Sequence, residues 1–288
     1  MTRRPPPDLP HPALRFSAPA HITKGQPLKA LLDGALLQLI GESFAAVTDR
    51  FDAARFCRRG ERGLDQLELA DRGRHIAAAL AGELPAGFAD ALPIFLAALG
   101  PRATQTSDLG LAPFFYFPHS HWVSAAAGDD LQGGLLACYE LTQRFTAEFC
   151  IRPLIERDAA TVLQALGAWV RDPDPHVRRL VSEGTRPRLP WARRLRDFVQ
   201  DPRPTLPLLE ALKIDPSLYV RRSVANHMGD IAKDHLELAL ARCGDWLEQA
   251  GRLQPEPAKQ LRWVIRHALR NPAKQGQAEA LALREAAR

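Results

Sequence analysis

The chain has 288 residues, a mass of 31.9 kDa and a formal net charge of +5, from 38 Lys and Arg against 33 Asp and Glu. That is enough chain to bury a large core, and no apolar run is long enough for a membrane span or a secretory leader. The four cysteines, Cys57, Cys138, Cys150 and Cys243, stand far apart without CxxC or Cys/His spacing, which argues against a metal module and predicts reduced, buried thiols in a cytoplasmic protein.

Residues 1–25, with Arg3, Arg4 and prolines at 5–7, read as a flexible arm, and 26–288 as a single repeat domain. Between Pro27 and Arg55 the residues Leu28, Leu31, Leu32, Leu36, Leu39, Ile40, Phe44 and Val47 keep helical spacing. Further helices are predicted over 64–84 and 86–99, with scaffolding roles. Residues 113–123, PFFYFPHSHWV, form the densest aromatic cluster. It fits either a packed core or an aromatic wall beside a bound base, where stacking is worth roughly 1 to 3 kcal/mol. His119 and His121 lie close together there, without the further ligands that a metal needs. Over 131–152 the pattern predicts one long helix with Arg144, Glu148 and Arg152 four apart on one face. Glu148 is then either half of a structural ion pair or a carboxylate turned into a groove. No stretch alternates with period two, and 24 prolines interrupt the helical patterns at short intervals. The fold class is all-α.

The most concentrated stretch is HVRRLVSEGTRPRLPW, 176–191. Asp174 and Pro175 start a helix, Val177, Leu180 and Val181 give it an apolar side, and Gly184 stops it. Glu183 therefore lies in the last turn, where the negative end of the helix dipole disfavours a carboxylate by about 0.3 to 1 kcal/mol. Arg178, Arg179, Arg186, Arg188 and Arg193 surround that single acid, and Pro187 and Pro190 stiffen the connection to Trp191. The bland alternative is that Arg186 or Arg188 neutralises Glu183 and that Trp191 is core.

The stretch is repeated. DPDPHVRRLVSEG from Asp172 is echoed by DPSLYVRRSVANH from Asp215, and more weakly by WVIRHALRNP from Trp263. A period of 43 residues, each unit a helix pair, predicts an α-solenoid of HEAT-like repeats with a C-shaped concave surface. Arg221 and Arg222 match Arg178 and Arg179, and Asn226 matches Glu183. Asp230 follows Gly229, whose missing side chain would admit a ligand or another backbone. From Arg144 to Arg222 fifteen Lys and Arg face ten Asp and Glu, an excess equal to that of the entire chain. A basic stripe on repeat helices is the footprint of a nucleic-acid backbone. The candidate phosphate contacts are Arg152, Arg178, Arg179, Arg186, Arg188, Arg221, Arg222, Asn226 and Arg266.

Acids in such a groove weaken DNA binding and need another task. Glu148, Glu183 and Asp230 would attract a cationic alkylated base and the oxocarbenium character that develops when its bond to deoxyribose breaks, and one could orient water. Trp191 could meet the cation through its ring face.

At these residues the chain resembles the DNA alkylation repair glycosylases of the AlkC/AlkD type, and the AlkC branch most. The resemblance rests on ELTQRFTAEFCIRP (140–153), HVRRLVSEGTRPRLPW (176–191), SLYVRRSVANHMGDIAKDH (217–235) and WVIRHALRNPAKQG (263–276). It implies excision of 3-methyladenine and 3-methylcytosine from double-stranded DNA without metal or cofactor, with Glu148, Glu183, Trp191 and Asp230 in the active site; stacked repeats need no partner subunit, so a monomer is expected. Some relatives carry an immunoglobulin-like domain after the repeats; none is expected before Arg288. The family pattern has Asn where this chain has His227, a difference expected to bear on base preference. A non-catalytic binder of bent or branched DNA and a protein-interaction scaffold stay open as alternatives.

Overall fold

The computed structural model describes residues 9–128 and 130–288. Among them the only regular elements are helices, in the helical-repeat arrangement that the 43-residue period predicts. No described helix is long and apolar enough to cross a membrane. The chain divides into two compact units, 1–154 and 155–288.

In the first unit the principal helices are Gly34–Ala45, Ala53–Glu61, Leu69–Ala81, Phe88–Ala97, Phe117–Ala126 and Leu131–Thr142. Asp33, Asp52 and Asp130 start three of them by accepting a backbone N–H three residues on. Part of the expected arm is held in the fold. Its first eight residues lie outside the described ones, whereas Pro12–Arg15 form a helical turn anchored at both ends. His11 bonds the carbonyl of Ala98 at 3.2 Å, Arg15 pairs with Glu42, and Phe16 is buried.

The aromatic segment is core. Phe115, Tyr116, Phe117 and Trp122 are buried, and His119 sits wholly inside a cage of Phe44, Phe95, Phe115 and Tyr116 rings. The long helix expected over 131–152 breaks after Thr142 and resumes at Ile151. Arg144 explains the break. Its guanidinium bonds the carbonyls of Gly100 and Glu140 and pairs with the Glu140 carboxylate, so it holds the chain end and does not face Glu148.

The second unit carries the repeats. Helix Pro175–Gly184 packs on Leu218–Asp234, which packs on Pro255–Ala268, with Leu206–Leu212 and Leu236–Ala250 behind. Equivalent arginines do equivalent work. Arg178 bonds the carbonyls of Asp172 and Pro173, and Arg221 those of Asp215 and Pro216, so each folds back on the turn that starts its own helix. Arg178 also clamps the Asp215 carboxylate through two bonds, of 2.6 and 3.1 Å, and thereby ties one repeat to the next.

Candidate active site

Glu183 is placed by its helix. Asp174 caps the start, Pro175 occupies the first turn, and Val177, Leu180 and Val181 are fully buried, which fixes the helix rotation. The Glu183 side chain is accordingly buried at the C-terminal end. Arg186 bonds its Oε1 at 2.7 Å, Arg179 stands 3.4 Å from the same oxygen, and Ser223 of the next repeat donates to Oε2 at 2.6 Å. Burial alone would push this carboxyl up. The guanidiniums of Arg179 and Arg186, with the Ser223 hydroxyl, outweigh that and hold it below the usual carboxylate range.

Arg186 reaches further. Its Nε donates to Asp230 Oδ2 at 2.7 Å, while Lys233 donates to Oδ1 at 2.8 Å. Glu183 and Asp230, 6 and 2% exposed, thus come from neighbouring repeat helices and share one buried guanidinium. Such an array keeps two carboxylates close together and poorly hydrated, where charge interactions are stronger than in water. Gly229 serves packing: a Cβ there would lie 3.1 Å from the Ala268 carbonyl oxygen, so it is another backbone that comes close.

Asn226 belongs to the next layer. Its Oδ1 accepts from Arg270 at 2.9 Å and from His267 Nε2 at 3.1 Å, and the ring of His267 stacks on Trp263. His227 is fully buried, with Nδ1 3.0 Å from the Ser182 carbonyl and Nε2 3.4 Å from Thr205. The departure from the family pattern at this position therefore faces the core and not a bound base. Glu148, in the first unit, lies on a turn with its carboxylate bonded by Thr146 and only 9% of its surface exposed. The helical face expected to join it to Arg144 and Arg152 does not form.

Trp191 is not core. It is 82% exposed and adopts a left-handed backbone with φ 64°. That conformation is rare for a bulky residue and costs on the order of 1 to 3 kcal/mol.

Most of the arginines expected on phosphates are turned inward. Arg152 is buried, Arg178 and Arg221 hold the turns described above, and Arg186 bridges the acids. Arg179 lies between Glu183 and the ring of Tyr219, Arg188 forks onto Asp234, and Arg266 bonds the Ala287 carbonyl. The reason is geometric: Arg178 and Arg221 reach the carbonyls of the turn before their own helix, and Arg178 and Arg186 also reach an acid of the next repeat. Of the expected set Arg222 remains exposed. Ser223 and Lys233 were not anticipated. Ser223 had a signal, since it puts a hydroxyl where the preceding repeat has the buried Leu180. Among the described residues no group of three or more His, Cys, Asp or Glu could hold a metal.

No protein-family model matches the chain. It is 35% identical over 218 residues to the uncharacterized protein YhaZ of Bacillus subtilis (strain 168), an alignment covering 76% of this chain and 56% of that protein. The chain thus spans little more than half the length of that curated relative. Among solved structures it is similar to Pseudomonas fluorescens alkylpurine DNA glycosylase AlkC bound to DNA containing an abasic site analog, with a TM-score of 0.78 and 35% identity. That similarity covers 90% of this chain and 67% of the AlkC chain, and on it, together with the shared helical-repeat fold, the chain belongs to the AlkC family.

Proposed function

We infer that this chain is a monofunctional DNA N-glycosylase that removes cationic N3-alkylated bases, 3-methyladenine and 3-methylcytosine, from double-stranded DNA and leaves an abasic site. The reading rests on the buried Glu183–Arg186–Asp230 array, taken with membership of a family whose solved relative is bound to DNA containing an abasic site analog. An N3-methylated base departs with the electron pair of the glycosidic bond and becomes neutral, so its departure needs no general acid. What the reaction needs is negative charge beside the sugar as C1′ becomes cationic, and a water to add there. Carboxylates preorganised in a poorly hydrated site supply the first without reorganising, and one of them can take the proton of the water. Trp191 contacts the base through its exposed ring face. Lys233 is ion-paired to Asp230, unlike the desolvated amine that a Schiff-base mechanism requires. The product strand accordingly stays intact.

The test is single-turnover release of free bases from methylated duplex by the full chain and by Glu183→Gln, Asp230→Asn and Glu148→Gln. The wild type should liberate 3-methyladenine or 3-methylcytosine and leave a strand that breaks only on heating or alkali. Glu183→Gln and Asp230→Asn should each slow release by about 10²-fold or more while duplex binding persists. Full activity in both variants would remove the carboxylate mechanism. Binding that prefers bent or branched duplex, with no base released, would identify a non-catalytic DNA binder instead.

A further inference from the structure

Most of the arginines that sequence spacing assigns to the DNA backbone are engaged within the protein and only Arg222 of them is exposed, so further cations are needed for a salt-sensitive grip on phosphate. Trp191 sits on a closed loop: Leu195 N–H donates to the Pro187 carbonyl at 3.2 Å, and Ala192 N–H to that of Leu189. Leu189 and Leu195 are both buried and peg the loop to the body of the second unit. Between and just beyond these pegs the loop turns Trp191, Arg193, Arg194 and Arg196 outward, all four exposed. The left-handed backbone at Trp191 is what sends the indole and the following arginines out together.

Arg193, Arg194 and Arg196 line an open cleft of about 770 Å³ whose acids are Glu156 and Asp197. Arg193, 86% exposed, stands 3.7 Å from Glu156, a loose surface pair that contributes about 0 to 1 kcal/mol and exchanges readily for another anion. Among the described residues Arg194 and Arg196 make no hydrogen bond or salt bridge. Arg194 and Arg196, exposed on a pegged loop, contribute little to the fold. The pegs fix the backbone that presents them, which suits a rigid polyanion.

The geometry points to the loop 191–196 as the phosphate clamp of this protein, with Arg194 and Arg196, assisted by Arg193, gripping the duplex backbone beside the nucleotide that Trp191 contacts. The clamp rests on the reading that duplex DNA is the partner, and not on base excision.

Counterion release gives a direct test. Each phosphate neutralised by a cationic side chain contributes about 0.9 to the slope of log affinity against log salt on B-form DNA. Affinity for an undamaged duplex is measured from about 50 to 300 mM salt for the full chain, for Arg194→Gln/Arg196→Gln and for Arg178→Gln. The double variant should lose about 1.8 from the slope with an unchanged Tm, whereas Arg178→Gln should keep the wild-type slope and lower Tm. An unchanged slope in the double variant overturns the clamp, and a slope lowered only by Arg178→Gln returns the phosphate to the repeat arginines. Base release is not part of this readout, so a chain that excises nothing would sink the glycosylase reading and leave the slope comparison intact.

Discussion

A carboxylate in the last turn of a helix faces the wrong end of the helix dipole, and Glu183 is held there by three partners of different kinds. Arg179 comes from the same helix, Arg186 from the loop that follows, and Ser223 from the next repeat. Only Ser223 is neutral, so it can be removed without changing net charge. Its hydroxyl favours the ionised carboxyl, and a Ser223→Ala variant should carry a Glu183 that protonates at higher pH than in the wild type. If ionised Glu183 is needed for turnover, activity falls as pH drops through its pKa. The acidic limb of the single-turnover pH profile should therefore move to higher pH in Ser223→Ala, with the plateau rate little altered. An acidic limb that stays put would mean that a different group controls it.

At the level of elements, the repeat is fastened by its arginines. Asp215 closes its own turn by accepting from Ser217 N–H at 2.8 Å and receives both bonds from Arg178 of the preceding repeat, with the carboxylate almost wholly buried. Arg178→Ala and Asp215→Ala should each lower Tm, and in a double-mutant cycle the pair should couple by about 1 to 3 kcal/mol, because removing either partner strands the other. A coupling near zero would show that the turn alone fastens the repeats. The same contacts explain what was legible in the sequence. The 43-residue period was plain from DPDPHVRRLVSEG against DPSLYVRRSVANH, and with it the helices Pro175–Gly184 and Leu218–Asp234 and the acids Glu183 and Asp230. Arg186 was legible as a local partner of Glu183, but the partners across repeats were not, because Arg178 meets Asp215 across 37 positions and Arg186 meets Asp230 across 44. The break between Thr142 and Ile151 was hidden for a related reason. No glycine or proline marks it, and what ends the helix is a bond from Arg144 to the distant Gly100.

Across the whole molecule the same inward turning of polar groups sets the response to acid. His119 in the first unit and His227 in the second are both fully buried, and burial pushes their imidazoles down to about 3 and about 4. Each is neutral in the folded chain, whereas in the unfolded chain it takes up a proton near the ordinary value of 6.5. Between those values the unfolded state binds more protons, so stability is fully present above about pH 7 and is lost as pH falls through about 6.5 toward 4. At about pH 5 each histidine costs about 2 kcal/mol relative to pH 7, a large part of the margin of an ordinary domain. His119 allows a clean check because its neighbours are aromatic rings 5.3 to 5.9 Å away, a setting that a phenylalanine of similar shape can fill. Urea unfolding of the wild type should show stability falling steadily from about pH 7 to pH 5, and His119→Phe should lose about 2 kcal/mol less over that interval. Equal losses in the two proteins would mean that His119 is already charged in the fold at about pH 5, which its aromatic cage argues against.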